Sequence, residues 1–189
     1  MKKFLLLFTA LFLLSTQFAA AESKDVLDLQ VRDTLKRFNQ KVPGAEAFLN
    51  KTEGYLVIPN LYKAGFVVGG EYGEGALLVK EKPVQPGQKP KFHIDGYYSI
   101  VSASIGFQAG AQKRSLIIAF LTPSALESFR KSNKWKVGVD GSIALFDVGG
   151  GIDLSTVDFK KSIVAFSFGN QGLMAGVSLD GSVFTRLNK

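Results

Sequence analysis

The sequence predicts an α+β protein in which one or two N-terminal helices pack on a predominantly antiparallel β-sandwich or barrel. Three observations lead to this fold class. Residues 25–40 form a clearly amphipathic stretch, and short β-branched and aromatic runs broken by glycines follow from residue 64 onward. The gaps between these runs are too short for the crossover connections that parallel strands need.

The helices are predicted from spacing and from their end signals. Residues 25–40 repeat an apolar side chain at helical spacing, and Pro43-Gly44 follows them. We expect this helix to pack on the core; the alternative is a helix lying on a membrane surface. A shorter helix is predicted at 45–50. A third is predicted at 123–131, with Thr122 as its N-cap and Pro123 in its first turn.

The strands are predicted from short apolar runs that end at glycine, proline or asparagine. Pro59-Asn60 is expected to end the first of them, and residues 82–93, with three of the six prolines, are expected to form an exposed loop. The predicted strands lie at 55–58, 64–70, 75–80, 97–111, 114–121, 136–148, 162–168, 172–179 and 181–187.

Residues 1–21 have the pattern of a secretory signal peptide. Lys2 and Lys3 precede an apolar run, Phe4 to Leu14, that is shorter than the ~20 residues of a membrane span. Small residues lead up to Ala21, after which we expect cleavage. The alternative is a buried or anchoring N-terminal helix. Cleavage would leave a single domain at 22–189 in a periplasm or outside the cell, and would lower the net charge from +7 to +5.

Composition excludes several classes of function. The 189 residues include no cysteine and one histidine, His93, which excludes disulfide frameworks, thiolate metal sites and cysteine nucleophiles. His93 is predicted to be a solvated loop side chain. Hydrophobic residues make up 46% of the chain and charged residues 21%, as in ordinary globular proteins. We expect a non-enzymatic protein without cofactor or metal.

The remaining motifs are weak. The glycine-rich segment 69–75 matches neither GxGxxG nor the P-loop, and its Glu71 and Glu74 are interpreted as carboxylates at a hairpin end. A hydrolase that uses this pair stays open as a minor alternative. The aspartates of the C-terminal half lack the spacing of a calcium loop. Basic residues come in scattered pairs, among them Lys113-Arg114, without the dense stripe expected of a nucleic-acid-binding protein.

Four blocks of sequence together resemble the SYLF domain family. They are KTEGYLVIPNLYKAGFVVGGEYGEGALLVK at 51–80, YYSIVSASIGFQAGAQKRSLIIAFLTPSALESFR at 97–130, WKVGVDGSIALFDVGGGID at 135–153 and FGNQGLMAGVSLDGSVFTRL at 168–187. That family includes eukaryotic phosphoinositide-binding proteins of actin patches and many exported bacterial proteins. The resemblance implies a non-catalytic domain that binds phosphoinositides or other anionic phospholipids. Actin is not an expected partner, because the predicted signal peptide would export the protein.

Six basic residues are candidates for contact with lipid headgroups. The resemblance points to the first helix and to the IPNLYKAGF block, and the Lys113-Arg114 pair would join them if the scattered pairs met on one face. The expected partner is an anionic phospholipid or a membrane surface. The alternative is an envelope module that binds other proteins and no lipid. The six candidates are Lys36, Arg37, Lys41, Lys63, Lys113 and Arg114.

Overall fold

A computed structural model describes residues 22–82, 86–150, 154, 161–172 and 178–189, without the side chains of 66–68, 104–110, 150 and 172. The predicted signal peptide lies outside these residues. Among the described residues, no helix combines the length and the apolar content that crossing a membrane requires. The elements are α1 (Lys24–Lys41), α2 (Ala45–Leu49), β1 (Gly54–Lys80), β2 (Phe92–Phe120), α3 (Pro123–Lys131), β3 (Lys134–Lys136), β4 (Ala144–Asp147), a 3-10 turn (Val148–Gly150), β5 (Ile163–Gly172) and β6 (Val183–Leu187).

Two very long strands organise the sheet. β1 and β2 pair antiparallel over almost their whole length, from Gly54 opposite Phe120 to Lys80 opposite Phe92. On its other edge β2 pairs with β6 over its first half and with β5 over its second half. The resulting six-stranded curled sheet has the order β3-β6-β2-β5-β4 with β1 beside β2, and only β4 and β5 run parallel among the described strands. The predicted fold class, helices on a predominantly antiparallel sheet, is confirmed.

The prediction that Pro59-Asn60 ends a strand is wrong. β1 runs through this point with a register shift between Ile58 and Leu61, so that proline, which has no N–H to donate, sits at an irregularity. The three predicted strands of residues 55–80 are therefore one bent strand, and the two of residues 97–121 are likewise one. Proline and glycine occur both at β-bulges and at turns, because each of these features interrupts the ladder of backbone hydrogen bonds. The sequence alone therefore does not distinguish a bulge within a strand from a turn between two strands.

Glycines allow β1 to lie close to itself. A Cβ on Gly73 would lie 2.7 Å from the Asn60 carbonyl oxygen, and one on Gly75 would lie 2.2 Å from that of Val57. Both distances are impossible for a real side chain. The glycine-rich segment is thus a site of close backbone approach.

Other predicted elements agree in part. Both N-terminal helices and α3 are confirmed, and the Thr122 side chain accepts a hydrogen bond from the Ala125 amide at 3.3 Å. The predicted strand 136–148 is wrong, because a turn separates β3 from β4. His93 lies on β2 and not in a loop, although its side chain is exposed. Most of the predicted strand 172–179 lies outside the described residues.

Both faces of the sheet are buried. Side chains alternate between them, so Val57 and Ile117 pack under α1 and α2, whereas Leu56 and Ile118 pack toward α3. On the α1 face Phe38 contacts Phe166 and Phe168, with ring centroids 5.3 Å apart in each case. A sheet covered on both sides needs apolar residues at successive positions, which explains the continuous apolar runs of the sequence.

Candidate functional site

A polar pocket of about 480 Å³ lies between α1 and the irregular part of β1. The polar side of α1 and the proline bulge of β1 form two of its walls. The others come from the segment of β2 at the register shift in its pairing with β5, and from the end of β5. Its lining residues are Leu29, Gln30, Asp33, Thr34, Arg37, Pro59, Asn60, Lys113, Arg114, Ser115, Gly169 and Gln171.

Arg37 is held in the pocket by several contacts. Its Nε donates to Asp33 Oδ2 at 2.9 Å, one turn earlier on α1. Its Nη2 donates to Thr34 Oγ1 at 3.0 Å and to Ser115 Oγ at 3.4 Å. The guanidinium carbon also lies 6.0 Å from the centroid of the Phe168 ring. The side chain is 40% exposed, so the guanidinium of Arg37 is held in place and is still accessible to solvent.

Gly169 keeps space beside Arg37. Its φ of +69° is a left-handed conformation that favours glycine. A Cβ at this position would lie 3.6 Å from Arg37 Nη1, in van der Waals contact with the edge of the guanidinium that faces the pocket. The absence of a side chain at 169 therefore leaves this edge accessible.

Neutral hydrogen-bonding groups complete the wall. Ser115 Oγ donates to the Pro59 carbonyl oxygen at 2.8 Å, and Asn60 Nδ2 donates to Gln30 Oε1 at 2.6 Å. These contacts join the β1 irregularity to β2 and to α1. The pocket thus combines basic side chains with hydroxyl and amide groups, a composition suited to an anion that accepts several hydrogen bonds.

Lys113 is the second accessible cation. Its Nζ lies 5.6 Å from the centroid of the Tyr62 ring, on the register partner in β1. In the lining, Lys113, Arg37 and Arg114 face a single carboxylate, that of Asp33. The lining therefore carries an excess of positive charge.

Arg114 also belongs to the lining, but its guanidinium is committed elsewhere. The side chain is 1% exposed, and its Nη2 lies 2.8 Å from Glu71 Oε2. Lys63 Nζ lies 3.4 Å from Glu71 Oε1. Burial lowers the pKa of the Arg114 guanidinium, and Glu71 acts in the opposite direction. Arg114 Nε and Nη1 have no hydrogen-bond partner in the described part of the chain, so burial of this arginine is energetically costly.

The structure brings four of the six predicted site residues together. Arg37, Lys113 and Arg114 line the pocket, and Lys63 joins them through Glu71. Lys36 and Lys41 are exposed on α1 and do not line it. Sequence reasoning missed the neutral groups of the wall, for which a single sequence offers no pattern. In the sequence, Gly169 indicated only the end of a predicted strand, and its place in the pocket was not predicted.

The interpretation of Glu71 and Glu74 as hairpin-end carboxylates is wrong. Both lie within β1 and are buried. Glu74 accepts a hydrogen bond from Tyr72 Oη at 2.5 Å and forms an ion pair with Lys189 Nζ at 2.5 Å. The two carboxylates are committed to separate ion pairs, Glu71 to Arg114 and Lys63 and Glu74 to Lys189, so the geometry gives the hydrolase alternative no support. The described residues also contain no group of three or more histidines, aspartates or glutamates placed to hold a metal.

Comparison with known proteins identifies relatives. The model of the family Ysc84, described as "Las17-binding protein actin regulator", matches residues 101–189. The chain is 28% identical over 133 residues to SH3 domain-containing YSC84-like protein 1 of Rattus norvegicus, covering 70% of this chain and 37% of the relative. The human protein of that name is 29% identical over 128 residues, or 67% and 35% of the two chains.

A fungal protein is similar over a comparable stretch. SH3 domain-containing protein PJ696.02 of Schizosaccharomyces pombe is 29% identical over 140 residues, which are 68% of this chain and 29% of that protein. The matched stretch spans roughly a third of the length of each of these relatives. The resemblance found in the sequence is thus confirmed: residues 101–189 match the model of the Ysc84 or SYLF domain family, and the chain is similar to YSC84-like proteins.

Proposed function

We propose that this domain binds anionic phospholipids without catalysing a reaction, and that the polar pocket holds the phosphate of the headgroup. The observation that carries the proposal is the meeting of Arg37 and Lys113 in one pocket with Ser115 and Asn60. A guanidinium presents several N–H donors in a fixed plane that suits phosphate, and an ammonium adds a mobile point charge. One carboxylate, Asp33, leaves this group of cations incompletely neutralised.

Exposed apolar side chains beside the pocket support a membrane as the source of the phosphate. Leu29 lines the pocket and is 64% exposed, and Val26, one turn earlier on α1, is 46% exposed. On a bilayer these side chains would enter the boundary between headgroups and acyl chains while the cations contact phosphates. Each basic side chain near an anionic surface contributes ~1 kcal/mol. α1 then both packs on the core and faces the membrane.

A protein partner is the second candidate function. The description of the family names Las17 binding and actin regulation, which are properties of the family members so described. The predicted signal peptide would place the present chain in a periplasm or outside the cell, and on that expectation we propose an envelope lipid and no actin partner. A salt-insensitive complex with one dominant envelope protein, free of lipid, would favour the protein-interaction alternative.

Vesicle co-sedimentation across a salt series tests the proposal. We expect purified protein to bind vesicles that contain phosphatidylglycerol at low salt, to bind less as salt screens the charges, and to ignore phosphatidylcholine vesicles. Failure to bind any anionic vesicle at low salt would refute the proposal.

A pair of double variants tests the pocket itself. Arg37→Glu with Lys113→Glu reverses two charges inside the pocket, whereas Lys36→Glu with Lys41→Glu makes the same change in charge outside it. The first variant should lose vesicle binding, and the second should retain most of it. Equal losses would mean that overall charge and not the pocket determines binding. Thermal unfolding followed by circular dichroism checks that both variants are folded.

A further inference from the structure

A second cavity of about 570 Å³ lies next to the polar pocket. Asn60 lines both cavities. The second cavity is formed mainly by aromatic rings and small residues of β1 and β2: Tyr62, Ala64, Tyr72, Gly73 and Ala111. We call it the apolar cavity. Its volume lies within the ~300–1,000 Å³ of typical ligand pockets.

The two cavities meet at a pair of contacting side chains. Lys113 lines the polar pocket, Tyr62 lines the apolar cavity, and the Lys113 ammonium lies 5.6 Å from the centre of the Tyr62 ring. On β2 the residues that line the apolar cavity, Ala111 and Gln112, directly precede those that line the polar pocket. A molecule with an anionic end and an apolar end could therefore occupy both.

Small residues keep the apolar cavity open. Ala64 and Ala111 are register partners on β1 and β2, and both are exposed. Larger side chains at these two positions would fill the space without disturbing the core.

The charged groups around this cavity are mostly neutralised. Glu74 is bound to Lys189 and to the Tyr72 hydroxyl, and Lys63 is paired with Glu71. The third charged side chain of the lining, Glu22, accepts a hydrogen bond from Gln30 Nε2 at 3.4 Å. Tyr62 and Tyr72 are 49% and 44% exposed. Tyrosine presents an apolar ring and a polar hydroxyl, and it is enriched where a protein meets the bilayer interface. The cavity thus offers an apolar space with an interfacial rim.

We propose that the apolar cavity takes one acyl chain of the same phospholipid whose phosphate occupies the polar pocket. The inference rests on the function proposed for that pocket. The protein would then bind a single lipid partly withdrawn from the bilayer and would not merely dock on the membrane surface. An apolar cavity beside a cationic pocket suits an amphiphile with a phosphate end. The phosphate would bind the cationic side chains, and the apolar chain would be removed from water.

A chain-length series tests this inference. Purified protein is titrated in a calorimeter with inorganic phosphate and with butyl, hexyl and octyl phosphate, all below their micelle concentrations. If the chain enters the cavity, affinity should rise about fourfold for each CH₂, the equivalent of ~0.8 kcal/mol. The rise should stop when the cavity is full.

Two substitutions localise the effect. Ala111→Trp fills the cavity and should abolish the dependence on chain length while phosphate binding stays. Val139→Trp, at a position 72% exposed and outside both cavities, is the matched control and should keep the dependence. Ala64→Phe is the second filling variant, used if thermal unfolding shows that Ala111→Trp is destabilised.

The outcomes separate the two proposals. Equal affinity for phosphate and octyl phosphate would overturn the acyl-chain inference and leave the headgroup proposal standing. A chain-length dependence that Ala111→Trp and Ala64→Phe both retain would also overturn it, since the chain would then bind elsewhere. Failure to bind any of the four ligands would refute both.

Discussion

Lys113 and Arg114 are neighbours on β2 and both border the polar pocket, yet the contacts of their charged groups differ. Lys113 belongs with Arg37 to the polar pocket, where one carboxylate serves several cations and solvent reaches the charges. Arg114 belongs with Glu71 and Lys63 to a buried cluster, in which Glu71 is 4% exposed and bridges both cations. The difference shows that being basic does not make a residue available to a ligand. Exposure and the number of competing carboxylates decide this.

The physical cost of charge also differs between the two regions. An exposed pair such as Asp33 with Arg37 contributes little to stability, because water solvates both groups when they separate. In the buried cluster water does not reach either partner, so loss of one leaves an uncompensated charge on the other. The same substitution should therefore change binding in one region and folding in the other.

The largest effect is expected from Glu71→Ala. This change leaves Arg114 buried without its carboxylate and should lower the free energy of unfolding by about 3–5 kcal/mol. Urea denaturation measures it. A double variant with Arg114→Met should be more stable than Glu71→Ala alone, since the unpaired charge is gone. A loss below 1 kcal/mol for the single variant would contradict the assignment of Arg114 to a structural role.

Gly169→Ala should have the next largest effect. Its left-handed φ of +69° makes any Cβ unfavourable, by about 1–2 kcal/mol of stability. The new methyl group would also contact Arg37 and should weaken the binding of phosphate ligands. Gly181→Ala is the control, since Gly181 has a φ of +73° and open space around its Cβ position. Equal ligand affinity in both variants would show that Gly169 does not border the binding site.

Asp33→Ala should strengthen binding. Removal of the carboxylate that accepts from Arg37 Nε frees the guanidinium and should raise affinity for anionic vesicles about fivefold, or ~1 kcal/mol. Stability should change by less than about 1 kcal/mol. Asp180→Ala makes the same change in net charge at an exposed position outside the pocket. Equal gains in vesicle affinity for the two variants would show that the effect comes from overall charge and not from the pocket.

The smallest effect at neutral pH is expected at Tyr97, which holds α1 to the sheet. Its hydroxyl donates to Asp28 Oδ1 at 2.8 Å, and Tyr97→Phe should cost about 0.5–1 kcal/mol. Burial, together with the Asp28 hydrogen bond, raises the pKa of Tyr97 from 10.0 to about 12. Between these two pH values the folded protein keeps a proton that the unfolded chain loses, so stability should fall as pH rises.

Urea denaturation at pH 8 and across pH 10 to 12 measures this slope. Burial also raises the pKa of Tyr55 to about 12, so Tyr97→Phe should flatten the slope in part and not abolish it. An unchanged slope in Tyr97→Phe would mean that Tyr97 does not contribute to the alkaline loss of stability.

Local patterns predicted the elements better than their limits. The spacing of Leu27, Val31 and Phe38 gave α1 within one residue at each end, because a helix is determined by contacts close in sequence. The predicted end of a strand at Pro59 is wrong. Whether a proline ends a strand or lies in a bulge depends on the partner strand, which a local pattern does not reveal. Four of the six predicted basic residues lie together in the structure, whereas the neutral groups of the pocket wall were not predicted.

By itself the sequence determined the secondary-structure types, the resemblance to the Ysc84 or SYLF domain family, the absence of cysteine and an excess of basic residues over acidic ones. Only the tertiary structure decided which basic residues meet. The polar pocket draws on segments near residues 30–37, 59–60, 113–115 and 169–171, which are far apart in the chain. Their proximity depends on the register of β1 and β2 and on the packing of α1, and both arise from long-range contacts that no local pattern encodes.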